Sequence, residues 1–317
     1  MNTSDAFKQT QWLTLFEWTL LSISGRQAWD FLQGQVTCDL YQLEPGTSLL
    51  GAHCTPKGRV VFSFRILALD EQQLVLRLPL GMVESARLTL GKYIRFSKAE
   101  LTDDPAQRQA RGLVGPQARK WLGQHLIEPA REPGEWVSQD GQIILTVGQQ
   151  CFECWLSPDR AERLDAEFGR ASAPEGDNLW RLLDIEAGVG EVRPQTREAY
   201  TPQALNLPEL DGVSFRKGCY TGQEVVARLH YKGKTKRRMQ HLRVQDWRAQ
   251  ALPQPGELLL DTQGKVLGEV LLSARTDSDA LHLLAVIGTA LDERHEAGIA
   301  GHTHAVQTVP LPYNTAL

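Results

Sequence analysis

The residues of this chain best suited to chemistry cluster around one cysteine, Cys219, in the stretch "RKGCYTGQE". A thiol can act as a nucleophile, a redox group or a metal ligand, and its thiolate is the reactive form. Thr221 and Glu224 have the spacing of a capping box, which predicts a helix beginning near Thr221 with its positive end beside Cys219. That helix end and the neighbouring Arg216 and Lys217 favour the thiolate. The competing interpretation is a small buried hydrophobe, the commonest role of a free cysteine.

The other cysteines give weaker signals. Cys151 and Cys154 form a C-x-x-C in "QCFECWL", a stretch typical of a strand, where positions i and i+3 point to opposite faces. No second C-x-x-C or C-x-x-H follows at zinc spacing, so no metal site is expected. Cys38 and Cys54 are interpreted as packing residues. The chain also lacks the G-x-S-x-G of serine hydrolases and the glycine-rich phosphate loops.

A basic segment follows the predicted helix. It consists of Lys232, Lys234, Lys236, Arg237 and Arg238. Such a run can contact nucleic-acid phosphates or hold an anionic tail such as a polyglutamate, although charge runs are most often simply solvated. The formal net charge of −4 argues against a protein that is basic throughout.

Composition limits the scaffold that positions these groups. The chain has 317 residues, 42% hydrophobic and 23% charged, which suits about two ordinary domains. We expect no signal peptide, and the sequence has no apolar run of the roughly eighteen residues that a membrane helix needs. Because the few cysteines do not form a disulfide pattern, we expect a cytoplasmic protein with reduced thiols.

Caps and turns divide the chain into elements. A helix is predicted after Ser24, because Ser24 and Gln27 have the spacing of a second capping box. Further helices are predicted in "GPQARKWLGQHL", "SPDRAERLDAEFG" and "NLWRLLDIEAG", each with a proline near its start or a glycine at its end. Strands are predicted in "GRVVFSFRILAL", "QQLVLRLPL" and "GQIILTVGQQCFECWLS". From about Met239, short alternating runs separated by turn residues predict a small β-barrel.

Several motifs together resemble the YgfZ family, which comprises folate-binding proteins of tRNA modification related to the T-protein aminomethyltransferase of glycine cleavage. The most specific is "KGCYTGQE", Lys217 to Glu224. The other matching stretches are "FLQGQVTCDL" (31–40), "AHCTPKGRV" (52–60), "DIEAG" (184–188), "PQALNL" (202–207) and "PLPY" (310–313). They follow the family's order and span nearly the whole chain.

The resemblance implies an α+β fold with two ferredoxin-like lobes that form an aminomethyltransferase-like, folate-binding body, residues 1–235. A C-terminal β-barrel domain, residues 236–317, follows it. The implied cofactor is tetrahydrofolate, or a substituted folate, in a central channel. Iron–sulfur enzymes that modify tRNA are the implied partners, and no membrane partner is expected. Direct RNA contact through the basic segment is an alternative.

The resemblance also implies site residues. Trp18 and Trp180 would contact the folate, and Cys219 would be the functionally required thiol. Further implied contacts are Glu186, Lys217, Tyr220, Gln223 and Glu224.

One departure from the aminomethyltransferases bears on activity. Those enzymes carry paired aspartates a few residues after a Gly-Gly turn, whereas the corresponding stretch here, "GRVVFS" at 58–63, has no carboxylate. Losing a general acid or base costs about 10²–10⁴-fold in rate. We therefore expect an accessory folate-binding protein and not an enzyme. A folate-dependent one-carbon transferase that uses Cys219 is the alternative.

Overall fold

The computed structural model describes residues 9–168, 173–233, 235–247, 251–276, 279–288, 294–299 and 301–315. Two five-stranded sheets and a closed six-stranded C-terminal barrel dominate this part of the chain. The α+β class and the barrel predicted from the sequence are confirmed.

The elements have the following bounds. The helices are α1 Ala28–Gln33, α2 Val83–Ile94, α3 Ala118–His125, α4 Pro158–Phe168, α5 Ala173–Ala187 and α6 Gln223–Lys232. The strands before the barrel are β1 Gln11–Thr14, β2 Trp18–Ser24, β3 Ser48–Cys54, β4 Val60–Ala68, β5 Gln73–Pro79, β6 Glu100–Asp103, β7 Gln109–Val114, β8 Trp136–Gln139, β9 Gln142–Gly148 and β10 Cys151–Leu156. The barrel strands are β11 Arg237–Val244, β12 Leu258–Leu260, β13 Val266–Arg275, β14 Leu281–Gly288, β15 Arg294–Ile299 and β16 His302–Val309.

The chain divides into two compact units. The first comprises residues 1–33, 39–49 and 64–180, and the second comprises residues 34–38, 50–63 and 181–317. One sheet has the strand order β1-β7-β10-β9-β8, and the other has the order β3-β4-β5-β2-β6. Boundaries between the units fall inside β3, β4 and α5, so these three elements are shared between the units.

A buried core and buried ion pairs stabilise the first unit. Every residue of β10 is buried, which explains why its sequence lacks the alternation of a half-exposed strand. The side chains of Trp12, Leu113 and Phe152 belong to one core cluster in this unit. The guanidinium of Arg111 pairs with Asp165, with 2.8 Å between Nη2 and Oδ2.

The barrel lies in the second unit and closes in the order β11-β14-β13-β12-β15-β16, with β11 also paired to β16. Closure leaves no free sheet edge. Alternating residues such as Leu242, Val270 and Leu283 fill its interior. The first barrel strand begins at Arg237. The two units are divided at other positions, so the domain boundary at 235/236 stays a prediction.

Two capping boxes predicted from the sequence are wrong. The N-cap of α6 is Gly222, in the left-handed region at φ 87°, and no side chain caps the helix there. A Cβ on Gly222 would collide with the carbonyl oxygen of Thr55, so tertiary packing selects glycine at the cap. At the other predicted box, Gln27 Oε1 accepts from the backbone N–H of Lys98, 2.7 Å away, and does not cap α1.

Candidate functional site

The signature loop, Lys217–Gly222, contains both buried and exposed residues. Lys217 and Tyr220 are buried, whereas Cys219 between them is exposed. The other four cysteines are buried, and all five are free thiols. Cys38 and Cys54 are fully buried, which confirms their interpretation as packing residues. Of the thiols in this chain, Cys219 is the one that solvent reaches.

Lys217 fastens the loop to a distant stretch of the second unit. Its Nζ donates to the carbonyl oxygens of Val36, at 2.8 Å, and Cys38, at 2.6 Å. The same ammonium lies 5.3 Å from the centre of the Tyr220 ring, within cation–π range. A buried ammonium is tolerated only when its N–H groups are satisfied. These carbonyls therefore position the residues on either side of Cys219.

Tyr220 and Gly222 hold the loop against the end of β3. Burial first, and then the nearby Cys54 and Cys38 thiols, raise the pKa of the Tyr220 hydroxyl. Burial also raises the pKa of Cys54 to about 12, so this thiol stays protonated at neutral pH. A Cβ on Gly222 would lie 3.0 Å from Cβ of Cys54. The close approach of α6 to β3 thus requires glycine at this position.

A second junction in the same unit brings three more motifs together. The hydroxyl of Tyr313 donates to the carbonyl oxygen of Gly188 at 2.6 Å. Asn206 Nδ2 donates to the carbonyl oxygen of Met239 at 2.9 Å and contacts the Tyr313 hydroxyl at 3.4 Å. Gly188 has φ 66°, and a Cβ there would lie 2.7 Å from the Tyr313 ring. The motifs "DIEAG", "PQALNL" and "PLPY" are therefore one packed structure.

Glu186 lies in the last turn of α5, two residues before that junction. Its carboxyl is half-buried, and its Oε2 is buried without a hydrogen-bond partner among the described residues. Burial raises the pKa of this carboxyl to about 7. A carboxyl that titrates near neutral pH and keeps a free acceptor oxygen can bind a ligand's N–H groups or exchange a proton with it.

The two tryptophans predicted to contact folate lie in the first unit. Trp18 opens β2 and is 4% exposed, with the guanidinium carbon of Arg77 4.7 Å from its ring centre. Trp180 in α5 is fully buried, and a Cβ on Gly112 would lie 2.7 Å from its ring. Its Nε1 has no hydrogen-bond partner within the part of the chain that the structure describes. Their contact with folate stays a prediction.

The remaining predicted residues have different settings. Gln223 and Glu224 form the first turn of α6, where Gln223 is half-buried and Glu224 is exposed. In the basic segment, Lys234 lies outside the described residues. Arg238 pairs with Glu209. No group of three or more His, Cys, Asp or Glu side chains is placed to hold a metal within the described ranges.

Comparison with known proteins identifies the fold of this chain. No family model matches the chain. A Haemophilus influenzae protein described as uncharacterized is 28% identical over 314 residues, covering 96% of this chain and 99% of that protein. Aminomethyltransferase T of the glycine cleavage system from Bartonella henselae is 17% identical, with a TM-score of 0.73 over 97% of this chain and 87% of that structure. This chain has the aminomethyltransferase T fold.

In the stretch 58–63, where the sequence has no carboxylate, residues 60–63 are packed into β4. Val60, Val61 and Phe62 are buried in β4. Ser63 Oγ accepts a hydrogen bond from the backbone N–H of Val192 at 3.0 Å. Separately, no helix among the described residues is long and apolar enough to cross a membrane.

Sequence reasoning named the signature loop and Glu186 as candidates but did not predict the contacts that surround them. It did not assign Asn206 and Tyr313 their role in locking the turn at Gly188, although both occur in quoted motifs. It also missed a cleft that includes Arg59 and Tyr200. No local pattern marks that cleft, because its walls come from segments far apart in the chain.

Proposed function

We propose that this protein binds tetrahydrofolate as a YgfZ-like accessory factor for iron–sulfur enzymes that modify tRNA, and that Glu186 holds the pterin ring. The observation that carries the folate assignment is the Glu186 carboxyl, whose buried Oε2 has no partner in the part of the chain that the structure describes and whose pKa is raised by burial to about 7. The signature "KGCYTGQE" and the aminomethyltransferase T fold support the same ligand class.

The chemistry of the pterin explains the choice of Glu186. The pyrimidine edge of a reduced pterin presents a ring N–H and an adjacent amino group, both of them donors. An ionised carboxylate accepts two parallel hydrogen bonds, and such charge-assisted pairs are stronger than neutral ones. A protonated carboxyl replaces one acceptor with a donor and would oppose the second donor of the pterin. Folate binding should therefore favour the ionised form of Glu186.

An accessory role fits the remaining residues better than aminomethyl transfer does. The stretch 58–63 has no carboxylate, so no acid or base is supplied from the position where the transferases carry theirs. Cys219 is exposed on a loop held by Lys217 and Tyr220. In this proposal the thiol acts at the surface, where a partner enzyme reaches it.

Anaerobic calorimetric titration with tetrahydrofolate from pH 6 to 8.5 tests the assignment of Glu186. Affinity should rise with pH and level off above about 7 as the carboxyl ionises. Glu186→Gln should bind about tenfold or more weakly at pH 8, as expected for a lost charge-assisted hydrogen bond, and should lose the pH dependence. Glu71→Gln, an identical change at an exposed position, should match the wild type. Equal affinities for the wild type and Glu186→Gln would remove Glu186 from the site.

Trp18 and Trp180 keep their proposed place against the folate rings. Folate should quench tryptophan emission in the wild type, and Trp18→Phe and Trp180→Phe should each reduce both the quenching and the affinity. Unchanged affinity in both variants would eliminate the tryptophan contacts while leaving the Glu186 assignment to its own test.

The accessory role has a separate test. Tetrahydrofolate incubated with the purified protein should be recovered unchanged, since it is bound and not consumed. Cells that carry Cys219→Ala should contain less thiolated tRNA than wild-type cells. Normal thiolation in those cells would reduce Cys219 to a surface residue, and folate turnover with a purified partner would favour the one-carbon transferase.

A further inference from the structure

A cleft of about 400 Å³ in the second unit has a lining that the folate proposal does not use. The residues that matter to its chemistry are Arg59, Tyr200, Leu229, Lys236, Arg237 and Glu269. They come from the turn before β4, an internal loop, α6, and the barrel strands with the segment before them. We propose that this cleft and the adjacent end of α6 bind single-stranded nucleic acid.

The charge of the cleft favours an anion. Arg59 and Lys236 are exposed, and neither pairs with a carboxylate within the described ranges. Arg59 Nη1 donates to the carbonyl oxygen of Ala199 at 2.7 Å, which orients the guanidinium and leaves its other N–H groups available. Arg237 Nη1 lies 3.7 Å from Oε1 of Glu269. Among the described residues that line the cleft, these three cations accompany one carboxylate, Glu269.

The carboxylate of Glu269 already has two partners within the cleft. Glu269 Oε2 accepts the hydroxyl hydrogen of Tyr200 at 2.7 Å while its other oxygen lies near Arg237. Its negative charge is therefore partly compensated inside the cleft. An incoming anion meets Arg59 and Lys236 first.

The cations continue along α6, which indicates a chain of charges and not one small anion. Leu229 lines the cleft, and Lys232, one turn later, shares its side of the helix. Arg228 and Lys232 are both exposed and have i,i+4 spacing. A phosphodiester backbone supplies regularly spaced charges for such a row of cations.

Aromatic side chains at the end of α6 distinguish nucleic acid from an acidic peptide. Tyr231 is 67% exposed. His230 stacks on Phe215 with 3.7 Å between ring centres and 14° between planes, and Tyr231 packs edge-on against both rings. Exposed rings beside cations are the combination with which proteins bind single strands, because bases stack on them. An acidic peptide offers no flat bases to this surface.

The aromatic side chains at the end of α6 and the cleft are close enough for one nucleic-acid strand to contact both. Leu229 and Tyr231 lie in the last turn of α6, and a helix is about 10 Å across with its side chains. A few nucleotides passing over Lys232 would join the stacking surface to the basic cleft. Because the formal net charge of the chain is −4, electrostatic attraction of nucleic acid would act at this basic surface and not over the whole protein.

The test uses the full chain and a fluorescein-labelled twelve-nucleotide oligouridylate, with anisotropy measured from 50 to 200 mM salt. The triple variant Arg59→Gln, Lys236→Gln, Arg237→Gln should bind about tenfold or more weakly, and the slope of log K against log salt should become shallower by about 2, or about 0.7 per lost phosphate contact. Tyr231→Ala should weaken binding at least about fivefold through lost stacking without changing that slope. Lys236→Glu, a reversal at one exposed residue, should weaken binding even if the triple variant folds poorly.

A matched control removes the same charge elsewhere. Lys92→Gln, Arg95→Gln, Lys120→Gln changes exposed cations of the first unit and should leave affinity near that of the wild type. Absence of binding at 50 mM salt, or an equal loss in the control and cleft variants, would overturn the proposal. So would displacement by polyglutamate at the same charge concentration together with a silent Tyr231→Ala, which would assign the cleft to acidic chains. Unchanged tetrahydrofolate affinity in the cleft variants keeps this outcome separate from that of the folate proposal.

Discussion

The signature loop and strand β10 both carry cysteines beside charged residues, yet their thiols have opposite surroundings. Cys219 is exposed on a loop. Cys151 and Cys154 are buried in β10, which pairs with β7 and β9. Burial, with a smaller contribution from the Glu153 charge, raises the pKa of Cys154 far above its ordinary value. A C-x-x-C spacing is therefore a poor guide to reactivity, because exposure decides whether a thiolate can form and be reached.

A buried charge supports each region in a different way. Glu153 accepts from Arg77, at 3.0 Å between Nη2 and Oε2, and from Trp155 Nε1 at 2.7 Å. This ion pair satisfies the polar groups within the core around β10. The ammonium of Lys217 donates to backbone carbonyls, which anchors a loop whose next side chains face solvent. Buried Glu153 therefore stabilises a core around β10, whereas buried Lys217 holds the loop that exposes Cys219.

The largest expected difference between the two regions is in thiol accessibility. Iodoacetamide should alkylate Cys219 in the native protein at least about 10³-fold faster than the four buried cysteines, which become accessible mainly by unfolding. Peptide mass spectrometry over time measures the ratio. In denaturant all five should react at similar rates. Labelling of Cys154 at the rate of Cys219 in the folded protein would erase the distinction.

Removing the anchor of the loop should have the next largest effect. Lys217→Met leaves the carbonyls of Val36 and Cys38 buried without their donor, so the free energy of unfolding should fall by about 2–4 kcal/mol. Urea unfolding followed by circular dichroism measures it. Gly218→Ala is the matched control, because a Cβ there meets nothing within 4 Å. A Lys217→Met midpoint equal to that of the control would show that the anchor is dispensable.

A polar atom placed in the core around β10 should cost less. Cys154→Ser puts a hydroxyl into an apolar cluster that includes Phe152 and Leu113, which should lower the free energy of unfolding by about 1–3 kcal/mol. The same urea titration measures this, and Cys154→Ala separates the effect of lost volume from that of the hydroxyl. Serine and alanine variants of equal stability would argue against a dry core at this position.

The smallest stability change is expected at Cys219 itself. Cys219→Ser alters an exposed side chain, and such changes usually stay within about 0.5 kcal/mol. Its urea midpoint should coincide with that of the wild type even where thiolated tRNA falls. A midpoint shift as large as that of Cys154→Ser would mean that Cys219 packs against the body of the protein.

Local pattern was enough to predict many of the elements. The helices at α3, α4 and α5 and the strands β4, β5, β9 and β10 follow from proline, glycine and apolar spacing, because those signals act over a few neighbouring residues. The cap of α6 was wrong for the complementary reason. Thr221 and Glu224 fit a local box, but contact between Gly222 and β3 decides where the helix begins.

The same distinction between local and long-range signals applies to the candidate site. The sequence by itself determined the α+β elements, the C-terminal barrel and the signature that singles out Cys219, since each is written in residues close together in the chain. Only the tertiary structure decided that Cys219 is exposed while Lys217 and Tyr220 are buried, that Glu186 keeps a buried oxygen without a partner among the described residues, and that a basic cleft forms beside α6. The reason is physical: Lys217 reaches a carbonyl 181 positions away, and burial, hydrogen bonding and shifted pKa values arise from such long-range contacts.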